Sequence, residues 1–205
     1  MGAGNGTKRI MTVLAALLIT LCGCGSGEWT GDSAEVTTLG IDKDGHVREV
    51  IVEDFSENYY SLDELRASME SDVKAFLAAN GAANAESPAV VIDSIEQKGS
   101  TVRTVSTYRT AEDYGDFTLE TLWYGSLRQA GLRGYELPSL LTDREGASYT
   151  AGADDKDNHV IFTDGHDHIV APYRIKAVTK GVKLVSDTEA DFSGTEGRAA
   201  ILLEK

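Results

Sequence analysis

Cysteine is almost missing from this sequence. Of 205 residues two are cysteines, Cys22 and Cys24, and none follows them. From residue 25 onward this excludes disulfides, a cysteine nucleophile, cysteine-ligated zinc and iron–sulfur clusters. Proline is scarce as well, at three residues, which excludes Pro-rich and collagen-like chains. Basic residues are outnumbered 19 to 33, for a formal net charge of −14. A surface that negative repels phosphate backbones, so no nucleic-acid partner is expected. No G-x-S-x-G, no H-E-x-x-H and no Gly-rich phosphate loop after a strand occurs. The nucleophile elbow of α/β-hydrolases, the zincin pattern and the common phosphate cradle are therefore absent. What is present, 41% hydrophobic and 25% charged residues, is ordinary globular composition for one domain or at most two small ones.

The N-terminus carries an ordered set of signals. Lys8 and Arg9 form a positive start, and residues 10–21 form a twelve-residue apolar run. That run is shorter than the about 20 residues a membrane-spanning helix needs. It ends in Leu21-Cys22-Gly23-Cys24, which resembles the lipobox of bacterial lipoproteins: an aliphatic residue, then Gly directly before Cys. Cys22 sits where small or hydroxylated residues are commoner. The resemblance implies that residues 1–23 are a lipoprotein signal peptide cleaved before Cys24. It also implies that the Cys24 thiol is acylated, with palmitate-like chains holding the protein on the cell membrane, facing the extracytoplasmic side. Two acyl chains, at about 0.8 kcal/mol per buried methylene, anchor durably. Residues 24–34 would be the lipidated Cys and a flexible tether, and residues 35–205 one extracytoplasmic domain. Loss of residues 1–23, which hold two bases and no acid, takes the net charge from −14 to −16.

Within the body, residues 28–63 hold ten acids against Lys43 and Arg48, and residues 110–170 hold twelve acids against four bases. Two β-rich runs, 36–41 and 47–55, flank Asp42-Lys43-Asp44-Gly45, a strong hairpin signal that sets Ile41 opposite Val47. Residues 62–80 read as a helix. Ser61 and Glu64 fit a capping box, and Leu62, Leu65, Met69, Val73, Phe76 and Leu77 recur on one face, with Gly81 as the stop. That stripe predicts core packing. A second hairpin spans 89–96 and 101–109 around Gly99. Residues 111–117 read as an acidic, aromatic turn, 126–131 as a short helix, and 142–158 as polar loop. The remainder reads as strands, with Asp164-Gly165 and Lys180-Gly181 as turns. The expected fold class is α+β: an antiparallel sheet built from hairpins, with one long amphipathic helix packed on a face.

Candidate chemistry is thin. Ser71-Asp72-Val73-Lys74 matches the S-x-x-K of serine β-lactamases, but Ser71 falls nine residues into its helix and Thr179-Lys180-Gly181 reverses the K-T-G order. The Asp42 loop opens like a calcium loop but lacks the spacing to finish one. Tyr59, Tyr60, Trp123, Tyr124, Tyr135 and Tyr149 could line a groove or anchor a core. The cluster worth testing is His159, His166 and His168 among several aspartates. If Asp164-Gly165 closes a two-residue hairpin, Ile161 pairs with His168 and His159 with Val170. All three imidazoles then share one face, and His with Asp suits Zn²⁺. A polar hairpin tip explains the same residues without metal, so no metal site and no cofactor are expected.

The body also resembles, in architecture, the small surface lipoproteins of Gram-positive gut bacteria, a likeness that lends no catalytic residues. The expected function is that of a membrane-tethered extracytoplasmic domain. It would be non-enzymatic, a binding or envelope-accessory module whose partner is an envelope protein or small ligand. The alternative is an envelope hydrolase or metal-binding protein using the His159, His166 and His168 region.

Overall fold

Strands outnumber helices throughout the described chain. The computed structural model describes residues 29–80, 87–165 and 167–205. In chain order the elements are β1 (Thr38–Ile41), β2 (Val47–Asp54), α1 (Leu62–Ala79), β3 (Val90–Lys98), β4 (Thr101–Tyr108), α2 (Ala111–Thr118) and β5 (Leu122–Ser126). There follow α3 (Leu127–Leu132), β6 (Leu141–Asp143), β7 (Ser148–Tyr149), β8 (His159–Thr163) and β9 (His168–Val170). The chain closes with β10 (Ile175–Val178), β11 (Lys183–Leu184), β12 (Glu189–Asp191) and β13 (Ala199–Leu203). They form a seven-stranded sheet in the order β11-β12-β9-β1-β2-β4-β3 and a six-stranded sheet in the order β5-β8-β13-β10-β6-β7.

This corrects the expected α+β class. The fold is mostly β, two stacked sheets, and the long helix does not cover a sheet face. Both early hairpins form as expected: Ile41 pairs with Val47 around Gly45 at φ 91°, and Lys98 pairs with Thr101 around Gly99 at φ 64°. The later turns behave differently. Asp164-Gly165 joins β8 of one sheet to β9 of the other, and Lys180-Gly181 joins β10 to β11 in the same way. β9 then pairs in parallel with β1, Thr38 beside His168. Turn chemistry fixes how tightly the chain reverses, not which strand receives it.

The two sheets face each other through Leu39, Ile41, Val47 and Ile169 on one side and Ile161, Ile175, Ile201 and Leu203 on the other. The far face of the six-stranded sheet is covered too. Val160, Phe162 and Ala200 pack under Ala130 of α3 with Trp123, Tyr135 and Leu137. This explains why β13 reads Ala-Ala-Ile-Leu-Leu with all five residues buried: a strand enclosed on both faces has no polar side to alternate. The segment read as polar loop, 142–158, is more than loop. It carries most of β6, which with β7 extends the six-stranded sheet at its edge, and a 3-10 turn pinned by Asp155. That carboxylate is 2% exposed and accepts bonds from the Tyr149 hydroxyl (2.8 Å), the Gly152 amide (2.8 Å), the Asn158 amide (3.1 Å) and Lys176 Nζ (2.8 Å). Burial opposes its charge, yet the bonds from Lys176, Gly152 and Tyr149 hold its pKa below the usual carboxylate range.

α1 starts where expected, with the Ser61 side chain accepting the Glu64 amide at 3.3 Å. It closes on Asn80, whose amide donates to the Phe76 carbonyl; Gly81 lies outside the described residues. The stripe has the expected period, but none of its residues is buried. Leu62, Leu65, Met69, Val73, Phe76 and Leu77 are all half-buried. The helix leans on β3, an edge strand, and only Val73, Phe76 and Leu77 reach the core cluster. Residues 111–118 are a helix rather than a turn. Thr110 caps it by accepting the Asp113 amide at 3.0 Å, and Leu119 ends it at φ 66°.

Residues 29–34, which the sequence assigns to the tether, lie on the outer face of the seven-stranded sheet. The Trp29 ring rests on Gly40, so closely that a Cβ there would fall 1.9 Å from it. Arg103 donates to the Gly31 carbonyl and Arg48 to that of Thr30.

Candidate functional site

The three histidines do not form one face. His159 points between the sheets, its ring stacked on Tyr124 (5.0 Å between centroids) and on Tyr173 (5.4 Å). Its Nδ1 is buried without a hydrogen bond. Burial, with a smaller push from Lys205, holds the imidazole below its usual pKa, which keeps it neutral. His168 lies on the outer face of the other sheet, with Nδ1 3.0 Å from Glu189 and Nε2 3.8 Å from Asp191. His166 is outside the described residues. The expected pairings of Ile161 with His168 and His159 with Val170 fail because β8 pairs with β5 and β13, whereas β9 pairs with β1 and β12. Zinc titrations of the wild type and of His168→Ala are therefore expected to superimpose. A stoichiometric, submicromolar site that vanishes in His168→Ala and equally in His159→Ala would reinstate the histidine cluster.

Asp42, Asp44 and His46 bring one ligand atom each within 4.8 Å of one another. That arrangement is the β1–β2 turn: Asp42 Oδ1 accepts the amides of Asp44 (2.8 Å) and His46 (2.9 Å), and Oδ2 lies 2.7 Å from His46 Nδ1. Ser71 is exposed in mid-helix, far from the helix start that an S-x-x-K nucleophile would use.

Two further sites emerge, one that the sequence did not mark and one of which it named only Tyr59 and Tyr60, among six aromatics. The first is buried. Glu49 of β2 points between the sheets, 8% exposed, and accepts the Tyr108 hydroxyl at 2.7 Å. Tyr108 meets Tyr114 of α2 edge-on, and the Tyr114 hydroxyl donates to Glu120 at 2.8 Å. Burial pushes Glu49 up to about 7; the Tyr108 bond pulls it back in part, and the carboxylates of Asp167 and Glu120 push it further up. Both phenols are raised too, by burial and then by the Glu49 charge. Nothing in the alternation of β2, where Glu49 sits between Arg48 and Val50, marks it as the inward residue.

The second is open. Where β2 ends, the chain turns through 55–60 into α1, and a cleft of about 620 Å³ forms there. Its walls are Phe55, Tyr59, Tyr60 and Leu65, and its rim carries Glu53, Asp54 and Glu64, with no basic residue in the lining. Phe55 and Tyr60 stack at 4.8 Å and 18°, and Tyr59 meets Tyr60 edge-on at 4.7 Å. Tyr59 is 70% exposed and Tyr60 46%. Of the six aromatics read from the sequence, these two face water. Trp123 and Tyr135 pack on the buried Phe162, Tyr149 packs beside Leu141, Ala177 and Leu202, and Tyr124 is half-buried against the core.

Among the described residues, no helix is long and apolar enough to cross a membrane. Comparison of the chain with protein-family models, with curated proteins and with solved structures gives no match.

Proposed function

We propose that this protein is a lipid-anchored extracytoplasmic module that binds a partner at the cell envelope rather than catalysing a reaction there. The observation that carries the binding role is the Phe55–Tyr59–Tyr60 cleft. Two neighbouring tyrosines stand in water on a fixed aromatic base, and the cleft lies within the roughly 300–1,000 Å³ of ordinary ligand sites. The anchor rests on Lys8, Arg9, the apolar run and Leu21-Cys22-Gly23-Cys24; these residues lie outside the described ones. Only five peptide steps separate Cys24 from Trp29, so the docked segment at Trp29–Ala34 can stand at most about 18 Å from the anchored residue.

The anchor is tested by metabolic labelling with an alkyne fatty acid. Cys24→Ala is expected to abolish labelling and move the protein from the membrane to the soluble fraction, while Cys22→Ala leaves both unchanged. Labelling that survives Cys24→Ala and is lost in Cys22→Ala would overturn the assignment.

A further inference from the structure

We infer that the Phe55–Tyr59–Tyr60 cleft seats an arginine side chain presented by an extended segment of a partner protein, an inference that rests on the binding role proposed above. Exposed aromatic rings alone would suit many ligands, but here the charge narrows the choice. Glu53, Asp54 and Glu64 line the cleft, and Glu57 lies in the turn that builds it. An anion would be repelled, and a neutral sugar would leave three carboxylates without use. A guanidinium satisfies both parts of the wall. Its flat face stacks on an aromatic ring, and its edge donates in pairs to a carboxylate. The rings are already held in place by each other, Tyr60 between Phe55 and Tyr59, so little rotamer freedom is lost on binding. The Tyr60 hydroxyl is raised, chiefly by its bond and charge interaction with Tyr59 and by burial, with Glu57 and Asp54 adding the smallest pushes in the same direction. The volume exceeds that of one side chain, which leaves room for the neighbouring residues of an extended chain.

The test uses the full-length protein in a non-ionic detergent and two capped pentapeptides. One is Gly-Arg-Gly-Arg-Gly; the other replaces arginine by citrulline, which has nearly the same shape without the charge. Calorimetric titration is expected to show the arginine peptide binding at least tenfold more tightly. Tyr59→Ala should weaken it at least fivefold with an unchanged melting temperature. Glu64→Gln should weaken it at least threefold, whereas Asp157→Asn, which removes an equal charge at a distant exposed site, should leave it within twofold. Choline should not compete. Equal weakening by Tyr59→Ala and Asp157→Asn, equal binding of the two peptides, or displacement by equimolar choline would each overturn the inference. A photo-crosslinking residue at position 59 in cells separates the two levels. A discrete crosslinked partner with no arginine-peptide binding overturns the arginine inference and leaves the binding role standing. Loss of both overturns both.

Discussion

Glu49→Gln is expected to make the protein more stable than the wild type at pH 8 by about 3 kcal/mol, and equally stable near pH 4. Glu49 titrates at about 7 in the folded chain against an ordinary 4.5, chiefly because burial disfavours its charge. Between those values the unfolded chain has released the proton and the folded chain still holds it. Stability therefore falls as pH rises through this window, by about 1.4 kcal/mol for each unit of separation. The contribution is whole below pH 4.5 and gone above about pH 8. At 8% exposure the carboxyl is shielded from solvent, so screening takes little from this figure. Glutamine keeps an oxygen to accept the Tyr108 hydroxyl and carries no charge to bury. Urea unfolding at pH 4, 5, 6, 7 and 8 measures it. The surface carboxylates titrate alike in both proteins, so the difference between them isolates Glu49. A difference that stays flat with pH would mean that Glu49 is solvated.

The same residue shows where the sequence could be read and where it could not. β2 and β4 were legible because Asp-Gly and Lys-Gly-Ser turns join neighbours in the chain, and local chemistry closes local hairpins. The sheet that receives β9 was not legible. His168–Val170 carries the same signal whether it pairs with β8, as expected, or with β1, as found. That single exchange separates His159 from His168 and removes the face on which a metal was considered. Glu49 and the three acids of the aromatic cleft are alike in sequence. Only the pairing of β2 between β1 and β4 turns Glu49 inward and leaves Glu53 and Asp54 at the open end, where α1 adds Glu64. Tyr59 and Tyr60 were named from the sequence among six aromatics, yet nothing local separates them from Trp123 and Tyr135, which support Phe162. Exposure, which makes the first pair a candidate site, is decided by the third layer over the six-stranded sheet. That layer is built from α3 and the residues just after it, and nothing local in that short segment says which sheet it covers.

Phe162→Ala is expected to cost about 3–5 kcal/mol, the range for deleting a phenyl ring from a filled core, and Phe76→Ala only about 2 kcal/mol. The two rings differ in what surrounds them. Phe162 is 1% exposed in the middle layer, with Tyr135 stacked at 5.1 Å and Trp123 tilted at 6.1 Å. Its neighbours Val160 and Ala200 sit in strands bonded on both sides, so the hole cannot close by a backbone shift. Phe76 is half-buried on a helix that leans on an edge strand, and its main partner is Phe117, edge-on at 5.3 Å. Removing it forfeits about half of a full burial plus one aromatic pair, and the helix can settle toward β3. Of a typical total of roughly 5–15 kcal/mol, the first change threatens the fold and the second does not. Paired urea midpoints decide the matter. If Phe76→Ala proves as costly as Phe162→Ala, the apolar stripe of α1 is a true core face and the helix belongs to the sandwich rather than to its edge.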